Sequence, residues 1–258
     1  MNRLSGTGFV LVAVFVYCTV ISASFCVAAE GDIKLPPPSL KSDVSIEQAL
    51  SERRSLRTYK DVPVTIAEVS QLMWAAQGIT DPERGYRTAP SGMAAFPLYV
   101  YSVAFNVTGI PQGAYRYDPA GHELILVTKG DLRNQFKRRP FSPDSSSGSK
   151  LPSPESQGTA SPRDGGASGS PTPPGPGIMT DPVDTAALMI IITGNIKQTN
   201  EPSYYLEAGH VAQNIALQCV SLDMGVVTTR GFDEEALKRL LNLSEWEHPI
   251  YVLPAGKE

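Results

Sequence analysis

The chain is 258 residues long and 41% hydrophobic, with 22 Lys and Arg against 26 Asp and Glu and a formal net charge of -4. That length suits one or two domains with a substantial core, and the acidic balance argues against a nucleic-acid binder, which needs a basic face. Three scattered Cys and three His leave no Cys/His metal framework, and 22 Gly with 22 Pro warn of a segment outside any core.

Residues 1–29 carry one charge, Arg3, ahead of an uncharged stretch whose centre is Phe9-Val10-Leu11-Val12-Ala13-Val14-Phe15-Val16 and which ends in Val27-Ala28-Ala29. A positive end, an apolar run and a small-residue cleavage site are the order of a secretory signal peptide. The rival is an uncleaved anchor over 4–29, because about 20 apolar residues can span a bilayer. The expectation is therefore an exported folded part, periplasmic or secreted, that touches a membrane only if the segment is retained. Cleavage removes Cys18 and Cys26 and leaves Cys219, so no internal disulfide is expected. Residues 30–44 read as a linker to a domain over 45–258.

In that domain, Ser45 with Gln48 three positions on predicts a capped short helix running through Arg53 and Arg54. Thr65 with Glu68 predicts a capping box, and Val64 with Val69 a hydrophobic staple, on a second helix whose face is Val69, Leu72, Met73 and Ala76. Gly78 is expected as its left-handed stop. Residues 97–105, aromatic and β-branched, read as a strand. Residues 114–117 and 122–127 read as a hairpin around Asp118-Pro119-Ala120-Gly121. A brief helix over 131–139 has Lys137, Arg138 and Arg139 at its C-terminal end and Pro140 as its stop.

Composition then changes. Residues 141–180 hold 10 Ser, 8 Pro and 7 Gly, too little apolar area to offset ordering entropy, which predicts a disordered insertion at about 140–182. The continuous apolar run 186–194 predicts a strand buried on both faces. A long helix over about 204–222 follows, with Leu206, Val211, Ile215, Cys219 and Leu222 on one side and Gly209 thinning it for close packing. Asp233 caps a last helix, acidic early and basic late, and 249–256 form the final strand.

Three clusters could carry chemistry. Arg53-Arg54-Ser55-Leu56-Arg57 places three guanidiniums, forked donors suited to phosphate and paired carbonyls, where a helix gives way to a loop. In residues 87–97 the small segment Pro90-Ser91-Gly92 lets backbone approach a flat ligand. On the long helix Glu207, His210, Gln213 and Asn214 cluster on one side, followed downstream by Arg230-Gly231-Phe232-Asp233. Each alone reads as ordinary surface or packing.

In this order the clusters resemble the FMN-dependent nitroreductase superfamily, closest to the SagB-type, azoline-oxidising peptide dehydrogenases. The similar text is Arg53-Arg-Ser-Leu-Arg57, Leu72-Met-Trp-Ala-Ala-Gln-Gly78, Arg87-Thr-Ala-Pro-Ser91, Phe96-Pro97, Gly113-Ala-Tyr-Arg-Tyr117, Glu207-Ala-Gly-His210 with Gln213-Asn214, and Gly231-Phe-Asp233. The resemblance implies an α+β fold, a central mostly antiparallel sheet flanked by helices, in a homodimer binding FMN between subunits. It implies that Arg53, Arg54, Ser55 and Arg57 hold the phosphate, ribityl chain and pyrimidine edge. Pro90, Ser91 and Gly92 would reach the partner's flavin, and Arg230 and Gly231 would lie near flavin N5.

The chain departs from that pattern in three places. Gly92-Met93-Ala94-Ala95-Phe96 replaces the usual Ala-Gly-Ala-Leu-Tyr after Pro-Ser. The Lys-Tyr pair of azoline oxidases is missing, leaving Lys197 and Tyr204 as weak catalytic candidates. The basic C-terminal tail of many nitroreductases is missing too. The expected function is ping-pong transfer from a reduced donor such as NAD(P)H to a nitroaromatic, quinone or similar small acceptor, with no metal. Azoline peptide oxidation is the enzymatic alternative, and an exported non-catalytic flavin- or peptide-binding domain the other.

Overall fold

The computed structural model describes residues 31–136, 184–198 and 201–258. The leader, the basic trio at 137–139 and the Ser/Pro/Gly-rich insertion lie outside the described residues.

In chain order the elements are β1 (Ile33–Lys34), α1 (Ile46–Glu52), β2 (Val64–Thr65), α2 (Ile66–Gln77), β3 (Ile79–Asp81) and β4 (Tyr86–Arg87). Next come a single 3-10 turn (Gly92–Ala94), β5 (Leu98–Ala104), β6 (Val107–Thr108), β7 (Gly113–Asp118), β8 (Glu123–Lys129) and α3 (Arg133–Phe136). The chain closes with β9 (Leu188–Asn195), α4 (Glu201–Val220), β10 (Met224–Val226), α5 (Glu234–Leu241) and β11 (Glu247–Lys257).

Seven strands make one sheet in the order β1-β8-β7-β5-β9-β11-β10, and every pairing in it is antiparallel. Strand β9 lies inside it, between β5 and β11. Ile190 and Ile192 enter a core shared with Leu72 and Met73 of α2 and Val211 and Ile215 of α4. Met189 and Ile191 enter a second core with Phe136 of α3 and Leu237, Leu240 and Leu241 of α5. Helices thus cover both faces of the sheet, which is why the 186–194 run is apolar without alternation. The fold is α+β, as expected.

Local signals account for the helix starts. The Ser45 side chain accepts from the Gln48 amide at 3.1 Å. Thr65 and Glu68 exchange both bonds of a capping box, and the staple residues Val64 and Val69 are fully buried. The hairpin turn is set by the Asp118 carboxylate, which accepts from the amides of Ala120 at 3.3 Å and Gly121 at 2.8 Å.

Four expectations need correction. Gly78 ends α2 at φ -61, ψ 145, not in a left-handed conformation. A Cβ there would sit 2.2 Å from the Trp74 ring, so close packing selects the glycine. Leu206 is 68% exposed and leaves the α4 stripe to Ala208, Val211, Ile215 and Cys219, since a residue five positions before Val211 sits on another face. Gly209 faces open space and brings no element close. Residues 31–44 are pinned to the fold at several points. β1 extends the sheet, the Asp32 carboxylate accepts from the Leu126 amide at 2.9 Å, and the Ser39 amide donates to Gln71 at 2.8 Å. Cys219 is buried, and burial pushes its thiol up, which keeps it unreactive.

Candidate active site

The arginine cluster begins where α1 stops. Arg53 caps α1 through its amide, which donates to the Ala49 carbonyl at 3.0 Å. From there the chain runs beside β10: Ser55 bridges Val226, and the Leu56 amide donates to the Val226 carbonyl at 3.1 Å. A Cβ on Gly225 would come within 3.0 Å of the Leu56 side chain, so glycine permits this approach. Tyr59 anchors the far end, its hydroxyl 2.8 Å from both the Leu56 and Pro254 carbonyl oxygens.

The guanidiniums then divide. Arg54 folds back on the carbonyls of Ser51 and Arg53, at 2.8 and 2.9 Å. Arg53 and Arg57 make no hydrogen bond or ion pair through their side chains among the described residues, and Arg57 is exposed. Beyond β10, Thr229 pairs with Val252 of β11. Arg230 lies over the Tyr205 ring of α4 at 5.2 Å, and the Gly231 amide is spent on Thr229 Oγ1 at 3.0 Å. The arginine cluster thus runs beside β10, and the Arg230 loop follows that strand in the chain.

The Pro90-Ser91-Gly92 segment is held by α4. Asn214 Nδ2 donates to the Thr88 carbonyl at 3.1 Å, and Thr88 Oγ1 donates to the Trp74 carbonyl at 3.0 Å. Two turns before Asn214 on the same face, Glu207 Oε1 accepts from the Ser91 hydroxyl at 3.1 Å and the Gly92 amide at 3.0 Å. Ser91 Oγ in turn accepts from the Phe96 amide at 2.8 Å. The turn needs such support, because Met93, Ala94 and Phe96 stand at φ 54, 54 and 44, where side chains cost energy. Arg87 closes it from outside, 4.2 Å over the Phe96 ring, with its guanidinium also donating to Gln77 Oε1 at 3.0 Å.

The group expected on one side of α4 therefore splits: Glu207 and Asn214 hold this segment, while His210 and Gln213 are exposed. Neither weak catalytic candidate stands open at the site. Tyr204 is buried in the core with its ring over Gly194, and the Lys197 ammonium lies 3.5 Å over the Trp246 ring. What sequence reasoning missed is the Glu207–Ser91 contact, 116 positions apart; the spacing of seven between Glu207 and Asn214 was its one available sign. A cleft of 590 Å³ between residues 37–43 and helices α2 and α4 lies elsewhere, lined by Gln71, Trp74 and Gln218. The arginine cluster sits on an open surface.

The Nitroreductase family profile matches residues 50–257. A nitroreductase homologue from Methanocaldococcus jannaschii is 26% identical over 227 residues, covering 84% of this chain and 92% of that protein. The crystal structure of a nitroreductase homologue from Ralstonia eutropha superposes with a TM-score of 0.64 at 25% identity, covering 88% of this chain and 89% of that one. At 16% identity and a TM-score of 0.55, a chain of the Escherichia coli microcin synthetase McbBCD complex, solved with truncated pro-MccB17 bound, shares the fold over 87% of this chain and 77% of its own.

Proposed function

The chain belongs to the nitroreductase family and is an oxidoreductase, and from that premise we propose that it binds FMN and passes electrons from a reduced donor such as NAD(P)H to a nitroaromatic, quinone or similar small acceptor. The observation carrying this reading is a set of three guanidiniums near one short strand, Arg53 and Arg57 in the segment beside β10 and Arg230 in the loop that follows it. On a chain of net charge -4, three guanidiniums with no carboxylate partner among the described residues call for an anion from outside. A phosphate with adjacent carbonyl acceptors matches what forked guanidinium donors bind. The residues present therefore fit the cofactor.

When bound, FMN supplies the hydride and electron transfer, and the protein supplies binding and electrostatics. Arg53 and Arg57 would hold the phosphate and pyrimidine edge. Arg54, already engaged with two carbonyls, would fix the turn that presents them. Arg230 is kept in place by Tyr205. The Ser91 hydroxyl donates its hydrogen bond to Glu207, so the 90–92 segment would meet a ligand through its backbone and its shape. Two copies are proposed to complete the site, because Leu206 on α4, Met93 on the turn and Ile46 and Leu50 on α1 are all more than half exposed. We take residues 1–29 as an export signal on the composition given above.

Azoline oxidation ranks lower, since it removes a proton as well as a hydride and so needs a positioned base. With Tyr204 buried and Lys197 stacked on Trp246, neither candidate supplies one. Reduction of a quinone or nitro group can draw protons from water at an open site. The test is the absorption spectrum of the purified protein, then photochemical reduction of its flavin and anaerobic reoxidation by each acceptor. A yellow protein reoxidised by quinone is expected. A colourless protein that takes up no FMN in excess would refute the reading and favour a non-catalytic domain, and azoline peptide losing two mass units would reverse the ranking.

A further inference from the structure

Glu207 is used on one side only. It is 6% exposed, and its Oε1 takes both the Ser91 hydroxyl and the Gly92 amide. Its Oε2 is buried without any hydrogen-bond partner among the described residues. A buried carboxylate oxygen left this way costs far more than a bond makes up elsewhere, so native proteins rarely keep one unless a ligand or partner satisfies it. No lysine or arginine of the described chain pairs with it. The donors of the adjoining turn are spent as well, since both the Ser91 hydroxyl and the Gly92 amide point at Oε1. What this corner offers a ligand is therefore an acceptor.

Resting on the FMN reading, we propose that Glu207 is the positioning residue of the site: Oε1 fixes the Ser91–Gly92 turn, and Oε2 accepts a hydrogen bond from an O–H or N–H donor of the flavin. The cofactor has two sources of such donors, the imide N3–H and the ribityl hydroxyls. Both are lost selectively in FMN analogues that keep the phosphate. One carboxylate thereby couples the shape of the turn to occupation of the site, and the geometry explains why a buried acid stands where serine alone could have closed the turn.

The discriminating variant is Glu207→Gln. Its amide oxygen can keep both bonds to the turn, while its NH2 puts a donor where an acceptor is required. The expected result is a thermal midpoint within about 2 °C of wild type and FMN binding weakened by about tenfold or more, the loss of one charge-assisted hydrogen bond. The second measurement uses the wild-type protein alone, titrated with N3-methyl-FMN and with FMNs lacking one ribityl hydroxyl each. One of these should bind about tenfold or more weakly, and that loss should vanish in Glu207→Gln. An N3-methyl effect names the imide as the donor; a deoxyribityl effect names the hydroxyl. Glu207→Gln binding FMN within about twofold of wild type, or every analogue binding wild type within about twofold, overturns the inference while leaving FMN binding intact. Wild-type protein that takes up no FMN overturns both.

Discussion

Ser91→Ala tests whether the turn is held as described. The substitution removes the 2.8 Å bond from the Phe96 amide and the 3.1 Å bond to Glu207. The neutral bond contributes about 0.5–1.5 kcal/mol and the charge-assisted one about 1.5–3 kcal/mol, and the two are not additive. Three left-handed residues at 93, 94 and 96 give the loosened turn a ready release of strain. A combined effect of about 2 kcal/mol corresponds to roughly a 30-fold rise in the open population. The segment lies at the surface, so that rise is local. Amide hydrogen exchange should show Gly92 and Phe96 exchanging roughly 30-fold faster, with β9 amides unchanged. Glu207→Gln, which retains the acceptor, should leave both rates near wild type. If Ser91→Ala leaves the Phe96 rate unchanged, the hydroxyl does not hold the turn and the account of the site is wrong.

Other predictions concern charge. Arg57→Glu should abolish flavin retention with folding still cooperative, whereas Arg54→Ala should cost less affinity, because Arg54 is committed to the Ser51 and Arg53 carbonyls; equal losses in equilibrium dialysis would refute that division. Burial pushes the Glu68 carboxyl up, but the Lys257 ammonium and the Thr65 amide and hydroxyl outweigh it and hold it below its ordinary value. Its contribution is thus complete above the unfolded pKa of about 4.3 and lost as pH falls through the lower folded value. Allowing for screening, urea titrations should give Glu68→Gln a deficit of about 1 kcal/mol at pH 7 that shrinks as the pH falls below the unfolded carboxyl value and disappears once the folded carboxyl is protonated. A deficit independent of pH would show that the carboxylate charge is not involved. Lys197→Ala should leave quinone and nitroaromatic turnover within about twofold, because its ammonium rests on Trp246; a large loss of kcat would return Lys197 to the site.

What could be read in the sequence is what neighbours in sequence decide. Ser45 with Gln48, and Thr65 with Glu68 between the staple residues Val64 and Val69, have their partners within five positions, and all formed as expected. The unbroken apolar run of β9 was legible because burial on both faces leaves no alternation to read. The misses share the opposite cause. Gly78 is set by the Trp74 ring rather than by a left-handed φ, and residues 31–44 are held by Leu126 and Gln71, partners 32 to 94 positions away. Ser91 and Glu207 belong to one structure only because α4 crosses the chain where the turn emerges.

That crossing also explains how three separate clusters come to be positioned by one helix. α4 carries Tyr205 beneath Arg230, Glu207 against the Ser91–Gly92 turn and Asn214 on Thr88, while α1 packs on it just before the chain enters the arginine cluster. Each cluster is thereby referred to one rigid helix. Yet no hydrogen bond, ion pair or ring contact among the described residues joins the arginine cluster to residues 90–92. Rigid attachment of both pieces without mutual contact is what the proposed site shared between two copies would require, since each piece would have to keep its position for a ligand held mainly by the other subunit. A cluster that packed against its counterpart within one chain would have its donors spent there, as Arg54 and Ser91 already do. The unspent groups, Arg53, Arg57 and Glu207 Oε2, are the ones the proposed ligand would use.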